Sequence, residues 1–318
     1  MSSISFGSCA AVRARGGVSA LAFLAFGVLA ASSSALAQKP AAGTLKVYIS
    51  VDMEGIAGVV TADQLNPAGF EYDRFRRFMT DEALAAVRAA KAAGATGIVV
   101  ADSHGNGESL LIDEFPRDVR IVRSWPRRGG MMGGLDSSFS AAMMIGYHAS
   151  ASSPSGVRAH TISSATFTRI TINGQDASEG SLGAAQAGAL GVPVIFVSGD
   201  DVATAELRDR IGNIVTVETK KALSFHSAET LTPAESAARI EAGARSALSR
   251  LKEFRPYTVP TPVTLEMSYK NYAAAEVFSY LPGMQRVGSR TIKAVAKDIA
   301  EAVDIITVAE SYEPGISP

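Results

Sequence analysis

LKVYISVDMEG, residues 45–55, is an apolar, β-branched run that stops at two acids and a glycine. A run of this length and composition reads as a strand. Its polar end, Asp52-Met53-Glu54-Gly55, falls where open α/β sheets build ligand sites, just past the carboxyl end of a strand. Six further runs share the pattern: 97–101 (GIVVA), 119–123 (VRIVR), 141–147 (AAMMIGY), 168–172 (TRITI), 193–198 (PVIFVS) and 214–218 (IVTVE). Helical spacing lies between them. In 71–93, Phe75, Phe78, Met79, Ala83, Val87 and Ala90 recur every three or four residues, and Gly94 stands where a C-cap belongs. Segments 179–190, 201–211 and 233–251 read the same way, the last opening with Thr232 as N-cap and Pro233 in the first turn. Strands alternating with helices predict an α/β fold, a mainly parallel sheet flanked by helices.

Beyond the proline-rich connector PYTVPTP (256–262) come a strand at 263–268, a helix at 271–280, a strand at 291–296 and a helix at 298–311. This order predicts a smaller C-terminal α+β lobe. The expected division is therefore a cleaved segment at 1–37, a metal-binding catalytic domain at 44–255 and the lobe at 262–318.

The chain has 318 residues, 47% of them hydrophobic, and 30 Lys+Arg against 31 Asp+Glu. That balance excludes disorder and an electrostatic nucleic-acid binder. The single cysteine, Cys9, excludes a disulfide framework, a Cys-rich zinc module and a thiol nucleophile in the folded body. Arg13 and Arg15, the apolar run Val18–Ala30 and the small-x-small tripeptide Ala35-Leu36-Ala37 follow the order of a secretory signal peptide. Read as an uncleaved anchor instead, the run is too short to span a bilayer. The expected product is exported, periplasmic or secreted, without stable membrane association after cleavage.

Chemistry concentrates at the strand ends. His104 follows IVVADS, and His148 follows AAMMIGY. If these ends and that of 45–51 are neighbours, two carboxylates and two imidazoles share one crevice. Asp52 and Glu54 are either solvated turn acids or cation ligands; crowding two carboxylates away from water is unfavourable unless something positive neutralises them. Asp102, two residues before His104, either joins the ligand face or fixes the imidazole tautomer, and the second role is the expected one. Glu179 opens a helix, where the helix dipole alone favours an acid. His160 follows a Ser/Gly/Pro loop, the setting of a proton-transfer group, and His226 reads as surface or structural. An oxygen and nitrogen ligand set admits zinc, manganese or cobalt. No Gly-x-Ser-x-Gly elbow is present, which argues against a serine hydrolase.

Ser50-Val51-Asp52-Met53-Glu54-Gly55, Asp102-Ser103-His104, Gly146-Tyr147-His148-Ala149, His160, Asn271-Tyr272 and 294–298 together resemble the D-aminopeptidase family of dipeptide-transport operons, the family-M55 metallopeptidases. The resemblance runs from about residue 45 to the C-terminus. It implies a dinuclear zinc centre on Asp52, Glu54, His104, His148 and Glu179, with His160 catalytic. It also implies ring-like homo-oligomers, commonly decamers, whose sites face an internal channel. Three features depart from the family pattern: a longer loop before His160, Asp176-Ala177-Ser178-Glu179 in place of a Gly-Glu pair, and the signal peptide.

The expected function is that of an exported, metal-dependent aminopeptidase. It removes N-terminal residues from short peptides, D-amino-acid peptides among them, with a water activated by two metals. The rivals are a dinuclear-metal esterase, amidase or phosphoesterase, and a non-catalytic exported peptide- or metal-binding protein.

Overall fold

Each of the seven apolar runs forms a strand in the computed structural model, which describes residues 44–312. The segment expected to be a signal peptide lies outside the described residues. The strands are β1 (Lys46–Val51), β2 (Gly97–Asp102), β3 (Val119–Val122), β4 (Ala141–Tyr147), β5 (Phe167–Ile172), β6 (Gln175–Asp176), β7 (Val194–Asp200), β8 (Val215–Ser224), β9 (Ser227–Thr230), β10 (Val263–Tyr269), β11 (Met284–Arg286) and β12 (Thr291–Ala296). The helices are α1 (Ala62–Leu65), α2 (Tyr72–Ala92), α3 (Glu179–Ala189), α4 (Asp201–Ile211), α5 (Pro233–Ser249), α6 (Tyr272–Phe278) and α7 (Ile299–Ser311). Among them, no helix is long and apolar enough to cross a membrane.

Two sheets result. The first runs β3-β2-β1-β4-β7-β8-β9 and is parallel except for the β8–β9 hairpin. Its central strand β4 is buried at every position, as a strand covered on both faces must be. Side chains alternate between two cores. Val47, Ile49 and Val51 pack with Met79 and Ala83 of α2 and Ile240 and Ala244 of α5. Tyr48, Ala142 and Met144 face Ala184 and Ala187 of α3 on the other side.

The second sheet runs β11-β12-β10-β5-β6 and is antiparallel throughout. The connector at 256–262 therefore does not divide the sheets: β5 and β6 lie within 44–255, yet β5 pairs with β10. The run 168–172 announces a strand by its composition, but its partner is almost a hundred residues away and leaves no local trace. α3 lies between the two sheets. Leu182 and Ala185 pack with β10 and α7 while Ala184 and Ala187 face β4, which explains a helix buried on every side and built largely of Gly, Ala and Ser.

Candidate metal centre

β2, β1 and β4 lie side by side and parallel, so their carboxyl ends open on one crevice. The turn after β1 is clamped to the end of β4. Asp52 N–H donates to Ile145 O (2.8 Å) and Gly55 N–H to Gly146 O (2.7 Å). Neither glycine has room for a side chain: a Cβ on Gly55 would sit 2.2 Å from Tyr147 O, and one on Gly146 2.3 Å from Asp52 O. The close approach carries Asp52 and Glu54 against β4, the strand that leads into His148.

All six expected site residues converge there. His104 Nδ1 lies 2.9 Å from Glu54 Oε2 and 3.3 Å from Asp52 Oδ1. His148 Nε2 lies 3.1 Å from Glu179 Oε2 and 3.5 Å from Asp52 Oδ2. His160 Nε2 lies 3.6 Å from Glu179 Oε1, and its ring stacks on that of His148 at 4.0 Å. Asp52, Glu54 and His148 bring one ligand atom each within 4.8 Å of one another, as do His148, His160 and Glu179. His148 belongs to both groups.

Each histidine has its other nitrogen occupied by a main-chain oxygen. His104 Nε2–H donates to Leu65 O (3.0 Å), His148 Nδ1–H to Ala149 O (2.9 Å) and His160 Nδ1–H to Arg158 O (2.8 Å). Such outer bonds fix the ring orientation and leave the inner nitrogen as the one that can turn a lone pair to a cation. Ala149 O also accepts the main-chain N–H of His160 (3.1 Å), so one carbonyl holds the His148 ring and the His160 backbone together.

The charges fit cations. Burial first, then the Glu54 charge, push Asp52 well above the carboxylate range. Burial opposes ionisation of Glu54 as well, but the adjacent His104 ring holds it well below that range. Burial also works against a charged His148, yet the Glu179 carboxylate outweighs it and lifts the imidazole to about 10. Asp52 Oδ2 is buried without a hydrogen-bond partner, which is costly for a carboxylate oxygen. A divalent ion would satisfy it and relieve the crowding of three acids. His160 behaves differently: burial first and the His148 charge second hold it below the imidazole range, so it stays neutral near pH 7.

One expectation changes. Asp102 does not orient the His104 ring; its Oδ2 accepts Leu110 N–H (2.6 Å), and the Leu65 carbonyl does the orienting. β2 ends at Asp102, so His104 lies beyond the strand and two-residue alternation no longer puts the two side chains together. Asp52 and Glu54 lie past the end of β1 at Val51, as expected, and converge through the turn. His226 is exposed and meets the Arg158 guanidinium at 3.2 Å.

The support beneath the acids comes from β8. The fully buried Lys220 ammonium donates to Glu54 O, to Ile56 O (2.9 Å) and to Val59 O (2.7 Å), and burial draws it down to about 8. Thr219 Oγ1 donates to Gly55 O (2.6 Å), while Glu82 Oε1 accepts Ala57 N–H (3.1 Å) and Ser236 Oγ–H (2.8 Å). Nothing in VTVETKK marks Lys220 for this task, because a lysine in a strand is ordinarily solvated.

A cavity of about 520 Å³ opens above the cluster. Its floor includes Asp52, Glu54, His104, His160 and Glu179, and its walls include Trp125, Met131, Leu182 and, from α7, Val303, Ile306, Thr307 and Glu310. A family model described as D-aminopeptidase, peptidase family M55, matches residues 45–308. The chain belongs to that family. It is a metallopeptidase of the aminopeptidase class. Its sequence is 32% identical over 265 residues to the D-aminopeptidase of Bacillus subtilis (strain 168), covering 83% of this chain and 96% of that relative. The fold is similar to that of the Zn-dependent D-aminopeptidase DppA from Bacillus subtilis, described as a self-compartmentalizing protease. The TM-score is 0.81 at 30% identity, over 86% of this chain and 100% of that one.

Proposed function

We propose that this metallopeptidase removes the N-terminal residue of short peptides, D-residue peptides among them, at a zinc pair held by Asp52, Glu54, His104, His148 and Glu179. The observation that carries the reading is the set of inward-facing imidazole nitrogens. Each is fixed by a main-chain carbonyl on its far side, and each lies within 3.6 Å of a buried carboxylate. The zinc requirement of the similar DppA and the shared His148 of the two ligand groups support a two-cation site.

Bound there, zinc would supply a water acidified towards neutrality and an electrophile for the scissile carbonyl. The chain's own groups do the rest. His160, neutral and tied through Nδ1 to Arg158 O, turns Nε2 to the cavity, where it accepts a proton and hands it to the departing amine. Glu179 takes Ile162 N–H on Oε1 (2.6 Å) and faces His148 with Oε2, so its carboxylate cannot rotate away. Trp125, Leu182 and Ile306 shield the reacting bond from bulk water.

We further propose that the enzyme is exported, the basic and apolar pattern of residues 1–37 supporting a cleaved signal, and that it works as a homo-oligomeric ring. The self-compartmentalizing description of DppA supports the second point. The test is metal analysis of the purified protein with a panel of D-Ala-D-Ala, L-Ala-L-Ala and a chromogenic phosphoester, with and without chelator. Chelator-sensitive release of alanine and two zinc ions per chain are expected. Phosphoester cleavage alone, or no turnover at all, overturns the reading in favour of a phosphoesterase or a binding protein.

A further inference from the structure

We propose that Glu310 anchors the protonated N-terminal amine of the substrate, an inference that rests on the peptidase reading above and assigns a recognition residue to it. Val303, Ile306, Thr307 and Glu310 line the cavity and recur at helical spacing, so they form the one stripe of α7 that faces the site. The stripe is apolar at its start and acidic at its end.

Several polar side chains along these walls are spent on the main chain. Thr307 Oγ1 donates to Val303 O, Ser311 Oγ to Thr307 O and Gln186 Nε2 to Gly129 O. Glu310 has no hydrogen-bond or ion-pair partner among the described residues. The other carboxylates of the cavity, Asp52, Glu54 and Glu179, each lie against an imidazole and are committed to the cation site. Glu310 is thus the lining acid left to meet a positive charge from outside the chain.

Its surroundings point to where that charge sits. Glu310 lines the same cavity as Glu54, His160 and Glu179, and its partial burial first, the Glu179 carboxylate second, raise its carboxyl to about 7. A peptide amine, protonated at neutral pH, placed between α7 and the floor would relieve this repulsion. Its first peptide bond would then lie beside Glu179 and His160. Apolar Val303 and Ile306, nearer the start of the stripe, are left for the side chain of the first residue.

The experiment compares the wild-type holoenzyme with Glu310→Gln and Glu310→Asp. The substrate is whichever of D-Ala-D-Ala and L-Ala-L-Ala the wild type cleaves, and lactyl-alanine, with a hydroxyl for the amine, is the competitive inhibitor. For Glu310→Gln, KM should rise about tenfold to a hundredfold, the range for losing a charged hydrogen-bond partner. Turnover, zinc content and melting temperature should stay near wild type. The preference for the amine over lactyl-alanine should fall by the same factor, and Glu310→Asp should recover part of it. An unchanged KM, or equal weakening of the dipeptide and lactyl-alanine, overturns the assignment while leaving the peptidase reading standing. A wild type that cleaves neither dipeptide overturns both.

Discussion

The floor and the α7 wall of the cavity are built on opposite principles. The floor packs three acids and two histidines into near-complete burial with a third, His160, part-buried beside them, every imidazole tied on its outer side and the acid-bearing turn bolted to β4 and β8. The wall is an apolar helix stripe with one unpaired acid at its end. Groups that must hold a cation need a fixed geometry supplied from outside the ligands themselves, whereas groups that sort substrates need only shape and a well-placed charge. On the reading proposed above, the floor carries the chemistry and the α7 wall the selection.

Removing a floor ligand tests the contrast most severely. His148→Ala takes away the residue common to both ligand groups, so zinc content should fall towards zero and peptide hydrolysis to the solution background, read by elemental analysis and dipeptide turnover. His160→Ala should separate the two roles within the floor. Turnover should drop by about two to four orders of magnitude with zinc content intact. Loss of zinc as well would make His160 a ligand, as its place beside His148 and Glu179 permits.

A smaller effect should come from beneath the floor. Lys220→Met removes the ammonium that gathers the carbonyls of Glu54, Ile56 and Val59, and zinc affinity should weaken about tenfold to a hundredfold in competition with a chromophoric chelator. If affinity stays at the wild-type value, the turn does not depend on β8.

How much of this was legible in the sequence follows the same division. The strand ends could be read because apolar runs finishing in Asp-Met-Glu, Asp-Ser-His and Tyr-His put ligand chemistry at positions that a parallel sheet brings together. The loop context suggested a proton-transfer role for His160, while the resemblance carried Glu179, whose local context is an ordinary helix start. What stayed hidden depends on partners distant in the chain: the Leu65 carbonyl behind His104, Lys220 beneath Glu54 and the pairing of β5 with β10. The role expected of Asp102 fails because the chain leaves the strand after Asp102, and its carboxylate turns to Leu110 N–H instead of His104.

The slightest effect on activity is expected at Glu82. Burial lifts this fully enclosed carboxyl to about 7, and its Oε2 has no partner. The folded chain therefore keeps a proton that the unfolded chain releases near its ordinary value of 4.5. Wild-type stability should fall as pH rises from about 4.5 to about 7 and level off above, since the folded state binds more protons across that window. Glu82→Gln removes this contribution, so its melting temperature should gain on wild type as pH rises towards 7, with turnover nearly unchanged. A constant difference between the two across pH 4.5 to 8 would mean that Glu82 is ionised in the fold throughout.

The acceptors behind the three imidazoles are all peptide oxygens, and this bears on how the enzyme tolerates mutation. No codon change at 65, 149 or 158 deletes such an oxygen, since every residue brings one. The proton pattern of the catalytic floor is thereby inherited with the chain path rather than with side-chain identity. A substitution in the α7 wall leaves those three peptide oxygens, and the imidazole orientations they fix, in place.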